Sequence, residues 1–281
     1  MEWTVYENTD DFAEIGMPFL RQHEDSLSLM QGVSEAIQAG KYPEYFQATV
    51  EEDGRLTALL QMTPPHPLQV VLTRETRTED VIDTIVSGLT DNGVHPSGMI
   101  GMNTYVRPLA EKWAGTTGQS IRVAMDQGIY RLDEVTTGLV PSPGRFRYAE
   151  EPDLPLVEKW FTEFEQDCGL PMSLKEVARD KAAQFVGNRE VFLWVDGGRI
   201  VSMMKKARPT AHGVTVSLVY TPKEERRKGY GRTMVAACSA ELLKEYDFCV
   251  LYTDLANPTS NKIYQEIGYR RIADSVHLVF E

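Results

Sequence analysis

A short run of glycine and basic residues near residue 230 has the residue types needed to bind an anion. Gly229 and Gly231 can adopt positive φ, and they leave room for a ligand because neither has a Cβ atom. A helical pattern begins directly after them, and the first N–H groups of a helix have no acceptor within it. Those donors and the helix dipole favour a phosphate group. Basic side chains surround the glycines: Arg226, Arg227, Lys228 and Arg232. The run therefore predicts a diphosphate-binding loop.

Two common nucleotide-binding motifs do not fit this loop. The Walker sequence, Gly-x-x-x-x-Gly-Lys-Ser/Thr, does not occur in the chain. The dinucleotide fingerprint requires a third Gly or Ala three residues after Gly231, where this sequence has Met234. What remains is the pattern Arg-x-x-Gly-x-Gly, which follows an apolar run that ends in Leu218, Val219, Tyr220 and Thr221.

A second motif lies after the next apolar run. Residues 248–252 have the continuous apolar character of a buried strand. Asn257 as a cap, Pro258 in the first turn and Gly268 past the last turn then delimit a short helix. Tyr264 follows Asn257 by seven residues, and an aromatic residue follows Gly268.

The two motifs together resemble the cofactor-binding segments of the GNAT superfamily of N-acetyltransferases, over residues 145–281. The resemblance implies a mixed, mostly antiparallel sheet flanked by helices, with acetyl-coenzyme A as cofactor. It implies that Tyr264 protonates the departing thiolate. Tyr230 is expected to do little beyond covering the loop. The residues assigned to coenzyme A are Leu218, Val219, Tyr220, Thr221, Arg226, Arg227, Lys228, Gly229, Tyr230, Gly231, Arg232, Asn257, Ser260 and Asn261.

Acetyl transfer to an amine needs a donor for the carbonyl oxygen, a proton for the thiolate and a base for the amine. By the same resemblance, the strand ending at Tyr220 splays from its neighbour, and we expect the main chain of residues 219–221 to polarise the carbonyl. Residues 212–220 contain no acid, and Ser217 could at most order a water molecule, so no base is assigned. Glu165 and Arg208 are candidates for polar contacts with the acceptor.

The elements that position these residues recur in the same order, which predicts a tandem duplication of one α/β (α+β) unit. The first half predicts two helices within residues 1–40, strands at 45–50, 56–62 and 68–72, a helix at 81–89, a strand at 99–102, a helix at 105–113, and a strand pair broken near Gly128 within 121–135. The second half predicts a strand at 146–149, helices at 153–167 and 174–185, strands at 191–195 and 200–205, then the loop, a helix at 232–246 and the second motif.

The first copy lacks the residues that the second copy would use to bind the cofactor and to protonate the thiolate. Residues 73–80 contain no glycine, and Ala110 stands seven residues after Asn103, where a tyrosine would match Tyr264. Residues 136–144 have the Gly, Pro and Ser content of a linker. We therefore expect a degenerate GNAT-like domain at residues 1–140 and a catalytic N-acetyltransferase domain at residues 141–281.

The amino-acid composition limits the kinds of molecule that the protein can be expected to bind. The net charge is −12, and residues 1–145 carry 10 Lys+Arg against 21 Asp+Glu. Such a balance disfavours nucleic acid. No apolar run approaches a membrane span and the first residues do not form a secretory signal, so we expect no membrane and a cytoplasmic location. Three cysteines and five scattered histidines predict neither a disulfide framework nor a metal site.

The leading hypothesis is an acetyl-coenzyme A dependent N-acetyltransferase that acts on a primary amine, with a small-molecule acceptor favoured. The alternative is a non-catalytic acyl-coenzyme A binding sensor or interaction protein, which the missing acid favours. A third hypothesis, compatible with both, makes the acidic first half a module that binds a basic target. The oligomeric state is left open between monomer and homodimer.

Overall fold

The structure is a computed structural model that describes residues 1–73 and 78–281. The chain forms two compact units. Unit 1 comprises Met1–Ile129, Tyr252–Pro258 and Arg271–Glu281. Unit 2 comprises Tyr130–Leu251 and Thr259–Arg270.

The two halves of the sequence have one element order, β-α-α-β-β-β-α-β-α-β, which agrees with the predicted repeat apart from β1 and the strand pair expected within residues 121–135. The first half contains β1 (Glu2–Val5), α1 (Thr9–Gln22), α2 (Glu24–Gln38), β2 (Phe46–Glu52), β3 (Arg55–Met62), β4 (Leu68–Leu72), α3 (Thr78–Asp91), β5 (Gly98–Met102), α4 (Asn103–Thr117) and β6 (Ile121–Leu132). The second half contains β7 (Arg145–Tyr148), α5 (Leu154–Asp167), α6 (Lys175–Gly187), β8 (Val191–Asp196), β9 (Arg199–Ala207), β10 (Gly213–Tyr220), α7 (Tyr230–Leu242), β11 (Phe248–Asp254), α8 (Pro258–Ile267) and β12 (Arg270–Phe280). Two short 3-10 turns, Glu151–Asp153 and Lys223–Glu225, precede α5 and α7.

Three local predictions are wrong. Strand β1 was missed. The expected strand pair within residues 121–135 is one continuous strand, β6, because Gly128 keeps an ordinary extended backbone and makes no turn. Helix α7 begins at Tyr230 and ends at Leu242, so it starts inside the glycine run and stops before the predicted end.

In unit 1 the strands lie in the order β1-β2-β3-β4-β5-β12. Neighbours are antiparallel except β4 and β5, which are parallel. Alternate side chains along β3 and β4 enter two different cores, as the period of a strand requires. One core contains Ile85 of α3 and Trp113 of α4, and the other contains Phe12 of α1 and Met30 of α2.

In unit 2 the strands lie in the order β11-β10-β9-β8-β7. The pairs of β10, β9, β8 and β7 are antiparallel, and β10 pairs with β11 in parallel. Helices α7 and α8 contribute Met234 and Ile267 to one core. Helices α5 and α6 contribute Trp160 and Ala182 to the other.

The compact units do not coincide with the predicted cut at residue 140. Unit 1 ends its first segment at Ile129 and is completed by β12 from the end of the chain. The reason is the ladder between β12 and β5, which runs from the pair Ser275–Met102 to the pair Val279–Gly98. Unit 1 cannot be defined by a single cut in the sequence, because one of its strands, β12, comes from the end of the chain. The division into a degenerate domain (1–140) and a catalytic domain (141–281) stays a prediction.

The helices in the part of the chain described by the structure are all too short or too polar to cross a membrane. The cytoplasmic location stays a prediction.

Gly268 ends α8 in a conformation that a larger residue would strain. Its φ is 116°, and an added Cβ would lie 2.9 Å from the carbonyl oxygen of Glu134. We expect Gly268→Ala to destabilise the protein by at least about 1 kcal/mol, measured as a lower Tm. Gly115→Ala is the control, because Gly115 is an exposed residue of α4 with open space around it. That change should be neutral or stabilise by up to about 1 kcal/mol. Equal Tm values for both variants would contradict the prediction.

Candidate functional site

Strand β10 is bulged at the place where the sequence predicts the acyl group. Its antiparallel register with β9 shifts between Ser217 and Tyr220. Within the shift, Leu218 has a left-handed backbone with φ of 50°, which is uncommon for a residue with a Cβ. Leu218 packs into the core of α5 and α6, and Val219 packs against the core under α7. The bulge thus redirects consecutive main-chain groups at the end of the strand.

The pairing of β10 with its parallel neighbour β11 also stops before β10 ends. Pairing with β11 covers residues 213–215 against residues 248–250, although β10 continues to Tyr220. Within the described residues, no β11 residue pairs with residues 216–220. This agrees with the expected splay. Two carbonyl groups at the strand end are bonded: Ser202 Oγ donates to Tyr220 O at 3.0 Å, and Arg226 Nε donates to Thr221 O at 2.8 Å.

The loop after β10 brings main-chain donors together at the start of α7. Arg227 and Gly229 both have positive φ, 63° and 79°. The Thr233 N–H donates to Gly229 O at 3.0 Å and so makes the first bond of the helix. The three N–H groups before it have no acceptor within α7. They belong to Tyr230, Gly231 and Arg232.

Side chains on the two glycines would crowd hydroxyl groups that lie beside this loop. A Cβ at Gly229 would lie 2.7 Å from Ser142 Oγ, and one at Gly231 would lie 3.3 Å from Thr221 Oγ1. The absence of Cβ atoms at these two glycines therefore leaves room for the hydroxyl groups of Ser142 and Thr221 beside the loop, and we name residues 229–232 the glycine cradle. A cradle of this kind, with donors of a helix start, suits a phosphate group.

Carboxylates hold three of the four predicted cations. Arg226 pairs with Asp167, Lys228 Nζ lies 2.8 Å from Glu225 Oε2, and Arg232 Nη1 lies 3.2 Å from Glu266 Oε2. Arg226 is the main reason that the pKa of Asp167 is lowered, against the opposing effect of burial. Arg227 is exposed, and its side chain has no ion-pair partner within the described residues. Arg227 is thus the cation free to meet a phosphate without losing a carboxylate.

Tyr230 does more than cover the loop, in contrast to the prediction. Its side chain is buried at the first position of α7, and its hydroxyl donates to Asp196 Oδ2 at 2.5 Å. This bond is the first cause of the raised pKa of Tyr230. Because Asp196 ends β8, the bond fixes the start of α7 to the sheet.

Residues 135–143, which we name the strap, form part of the site although their composition predicted a linker. The Ser142 N–H donates to Thr233 Oγ1 at 2.8 Å, and Ser142 Oγ donates to Lys228 O at 2.8 Å. Trp194 Nε1 donates to Pro143 O at 2.9 Å. The strap is therefore fastened to the loop, to α7 and to β8. Gly, Pro and Ser content gives no sign of such bonds, so sequence analysis could not find them.

Tyr264 lies in the last turn of α8, and its carbonyl group takes part in the hydrogen bonds that end the helix. The Tyr269 N–H donates to Tyr264 O at 3.0 Å and the Gly268 N–H donates to Gln265 O at 3.1 Å. This is a Schellman motif, and the rings of Tyr264 and Tyr269 meet edge to face at 6.0 Å. Burial raises the pKa of the Tyr264 hydroxyl, and the nearby Cys168 thiol raises it further. The hydroxyl is therefore protonated at neutral pH.

The remaining predicted cofactor residues lie around the start of α8. Asn257 directly precedes the helix, and its N–H donates to Asp254 O at 3.0 Å. Asn257 belongs to unit 1, whereas Ser260 and Asn261 belong to unit 2. The ion pair of Arg232 with Glu266 ties α8 to α7. The role of Asn257, Ser260 and Asn261 toward coenzyme A stays a prediction.

Helix α5 supplies an acid beside β10 that sequence analysis missed. Tyr220 Oη donates to Glu163 Oε2 at 2.9 Å, and the Glu163 side chain is 35% exposed. The signal was hidden because Glu163 is far from Tyr220 in sequence. Glu165, by contrast, is buried and accepts bonds from the main chain and hydroxyl of Ser173 at 2.9 and 2.6 Å. Glu165 therefore fixes the loop that contains Ser173. The role of Arg208 stays a prediction.

In unit 1 a tyrosine lies where the parallel strands diverge. Strands β4 and β5 pair only at Leu68–Met99 and Gln69–Ile100. Burial raises the pKa of Tyr105 to about 12, opposed by hydrogen bonds from the backbone at Met102 and Leu72. Tyr105 therefore lies close to the ends of both strands. Ala110 is part of the core. Most of the glycine-free loop, residues 74–77, lies outside the described residues.

Comparisons with known proteins give one family match. Residues 200–278 match the family model described as FR47-like protein, which spans β9 to most of β12. No curated protein matches the sequence.

Several solved structures are similar over their whole length. An acetyltransferase from the GNAT family of Colwellia psychrerythraea has a TM-score of 0.63 at 12% identity, covering 100% of this chain and 99% of its own. A GCN5-related N-acetyltransferase from Sphaerobacter thermophilus has a TM-score of 0.65 at 15% identity, covering 99% and 95%. A tandem GNAT protein from the clavulanic acid biosynthesis pathway has a TM-score of 0.59 at 12% identity, covering 100% and 98%.

Removing the hydroxyl of Ser142 tests whether the strap holds the loop. Ser142→Ala loses the bond to Lys228 O, so we expect a loss of about 1 kcal/mol in stability and faster amide hydrogen exchange at residues 228–231. Ser87→Ala is the control, since Ser87 is exposed on α3. An unchanged exchange rate at the loop in Ser142→Ala would contradict this role of the strap.

Proposed function

We propose that this chain, which has the fold of the GNAT acetyltransferases, transfers an acetyl group from coenzyme A to an amine at a site in unit 2. The observation that carries the proposal is the junction of the bulged end of β10 with the glycine cradle at the start of α7. The match of residues 200–278 to the FR47-like family covers this junction. Acetyl transfer to a primary amine and a small-molecule acceptor are the finer parts of the proposal.

The residues present fit coenzyme A at its diphosphate. Three main-chain donors of the glycine cradle have no acceptor within α7, and neither glycine adds a side chain beside them. Arg227 would meet the phosphates with its charge, while Arg226, Lys228 and Arg232 hold the loop in place through their carboxylate partners. When bound, the cofactor supplies an activated thioester.

The unpaired end of β10 would hold the acyl group. Preorganised main-chain donors at residues 219–221 would stabilise the charge that develops on a carbonyl oxygen. Donors of this kind need no reorientation during the reaction, because the bulge and the bonds from Ser202 and Arg226 fix the strand end.

Tyr264 would supply the proton for the departing sulfur. Its pKa is raised by burial, so the hydroxyl keeps its proton over the working range of the enzyme. Glu163, bonded to Tyr220 on β10, is a candidate to hold the ammonium group of the acceptor, because its carboxylate is partly exposed. The acceptor would share this carboxylate with Lys159, whose Nζ lies 3.7 Å from Glu163 Oε1. A non-catalytic coenzyme A sensor is the second candidate, favoured by the lack of an acid on β10 itself.

Turnover tests both candidates. With acetyl-coenzyme A and a panel of primary amines, we expect wild type to release free thiol and Tyr264→Phe to have a kcat about 10²- to 10⁴-fold lower. Since the acting form of Tyr264 is protonated and its pKa is raised, loss of this proton should not reduce the wild-type rate between about pH 7 and 10. Tyr246→Phe is the control, because Tyr246 is a half-buried tyrosine that lies beyond the end of α7.

An unchanged kcat in Tyr264→Phe would contradict the proton-donor role. Coenzyme A binding by wild type without thiol release from any amine would favour the sensor.

A further inference from the structure

A cavity of about 310 Å³ lies in unit 2 between the strap and helix α7. It is separate from the bulged end of β10, since no β10 residue lines it. Its volume is at the lower end of the range for small-molecule pockets, roughly 300–1,000 Å³.

The lining of this cavity is mainly apolar. The strap contributes Leu139, Val140 and Pro141, α7 contributes a row of alanines, and the Trp194 ring is buried at one side. Val140 is 78% exposed at the edge of the cavity. An apolar lining of this kind suits the body of an apolar ligand.

One cation lines the cavity, and part of its hydrogen-bonding capacity is unused. Arg232 Nη1 donates to Glu266 Oε2 at 3.2 Å, and Nη2 donates to Val140 O at 3.1 Å. A guanidinium has five N–H donors, so these two bonds leave donors for a further acceptor. The pair with Glu266 is partly exposed on both sides, and such pairs contribute little to stability. An anion can therefore share Arg232 at modest cost.

The walls are held in place without a ligand. Ser142 bonds Thr233 and Lys228, and Trp194 bonds Pro143, so the strap is fixed beyond the cavity. A preformed pocket loses less conformational entropy on binding than a mobile segment does.

We propose that this cavity binds a small, mainly apolar monoanion, with its body between the strap and the alanines of α7 and its anionic group on Arg232. The proposal does not rest on the proposed acetyl transfer, although Arg232 is also one of the predicted cofactor residues.

Two matched dyes test the site. The anion 8-anilinonaphthalene-1-sulfonate and the neutral N-phenyl-1-naphthylamine differ by one sulfonate, and their fluorescence rises in apolar pockets. Titrations are made without coenzyme A, so they do not depend on the proposed function. We expect wild type to bind the anionic dye at least about fivefold more tightly than the neutral one, as a hydrogen bond to a charged group implies. Arg232→Gln should remove this preference.

Filling the cavity provides the control. Ala240→Trp places an indole in the cavity from its exposed edge and should weaken binding of both dyes at least about tenfold. Ala183→Trp, at an exposed alanine of α6 away from the cavity, should leave binding unchanged. Equal binding by wild type and Ala240→Trp, or equal affinity of wild type for the two dyes, would overturn the proposal. Displacement of the anionic dye by desulfo-coenzyme A, unaffected by Ala240→Trp, would place the dye at the diphosphate loop and would also overturn it.

Discussion

The candidate site depends on a strand whose main chain is left without a parallel partner. Buried main-chain groups must be bonded, and in most sheets the neighbouring strand does this. Pairing between β10 and β11 stops at residue 215, and β10 continues with a bulge in which Leu218 has positive φ. The unpaired edge is tolerable where a ligand or water can supply the bonds. The glycine cradle, Tyr230 and the strap all serve to position this strand end and the start of α7.

Most of the positive charge around the loop is already paired with carboxylates, which a count of basic residues does not reveal. Three of the four cations are held by acids from α5, the loop itself and α8. Such pairs orient side chains rather than add much stability. The net positive charge available to a ligand is therefore smaller than the sequence implies, and main-chain donors carry more of the expected recognition of a diphosphate. Arg227 is the exception.

The sequence was informative where local chemistry decides the structure. The end of α8 at Gly268 and the positive φ of Gly229 follow from local backbone preferences, and most of the order of elements follows from periodicity. Gly231 lies within α7 and does not have positive φ. Contacts between distant residues were not predictable. The bonds of Ser142, the pair of Tyr220 with Glu163, and the supply of β12 to unit 1 depend on tertiary packing. At Gly128 the local pattern was misleading, because a glycine within a continuous strand was interpreted as a turn between two strands.

Isothermal titration of desulfo-coenzyme A into wild type and Gly229→Asp tests the central claim most directly. The aspartate would place a carboxylate in the cradle, next to Ser142 Oγ, at a residue with φ of 79°. Gly54→Asp, another positive-φ glycine with open space around it, controls for the change itself. The account predicts that wild type and Gly54→Asp bind equally and that Gly229→Asp does not bind. Absence of binding by folded wild type, or equal binding by Gly229→Asp, would contradict it.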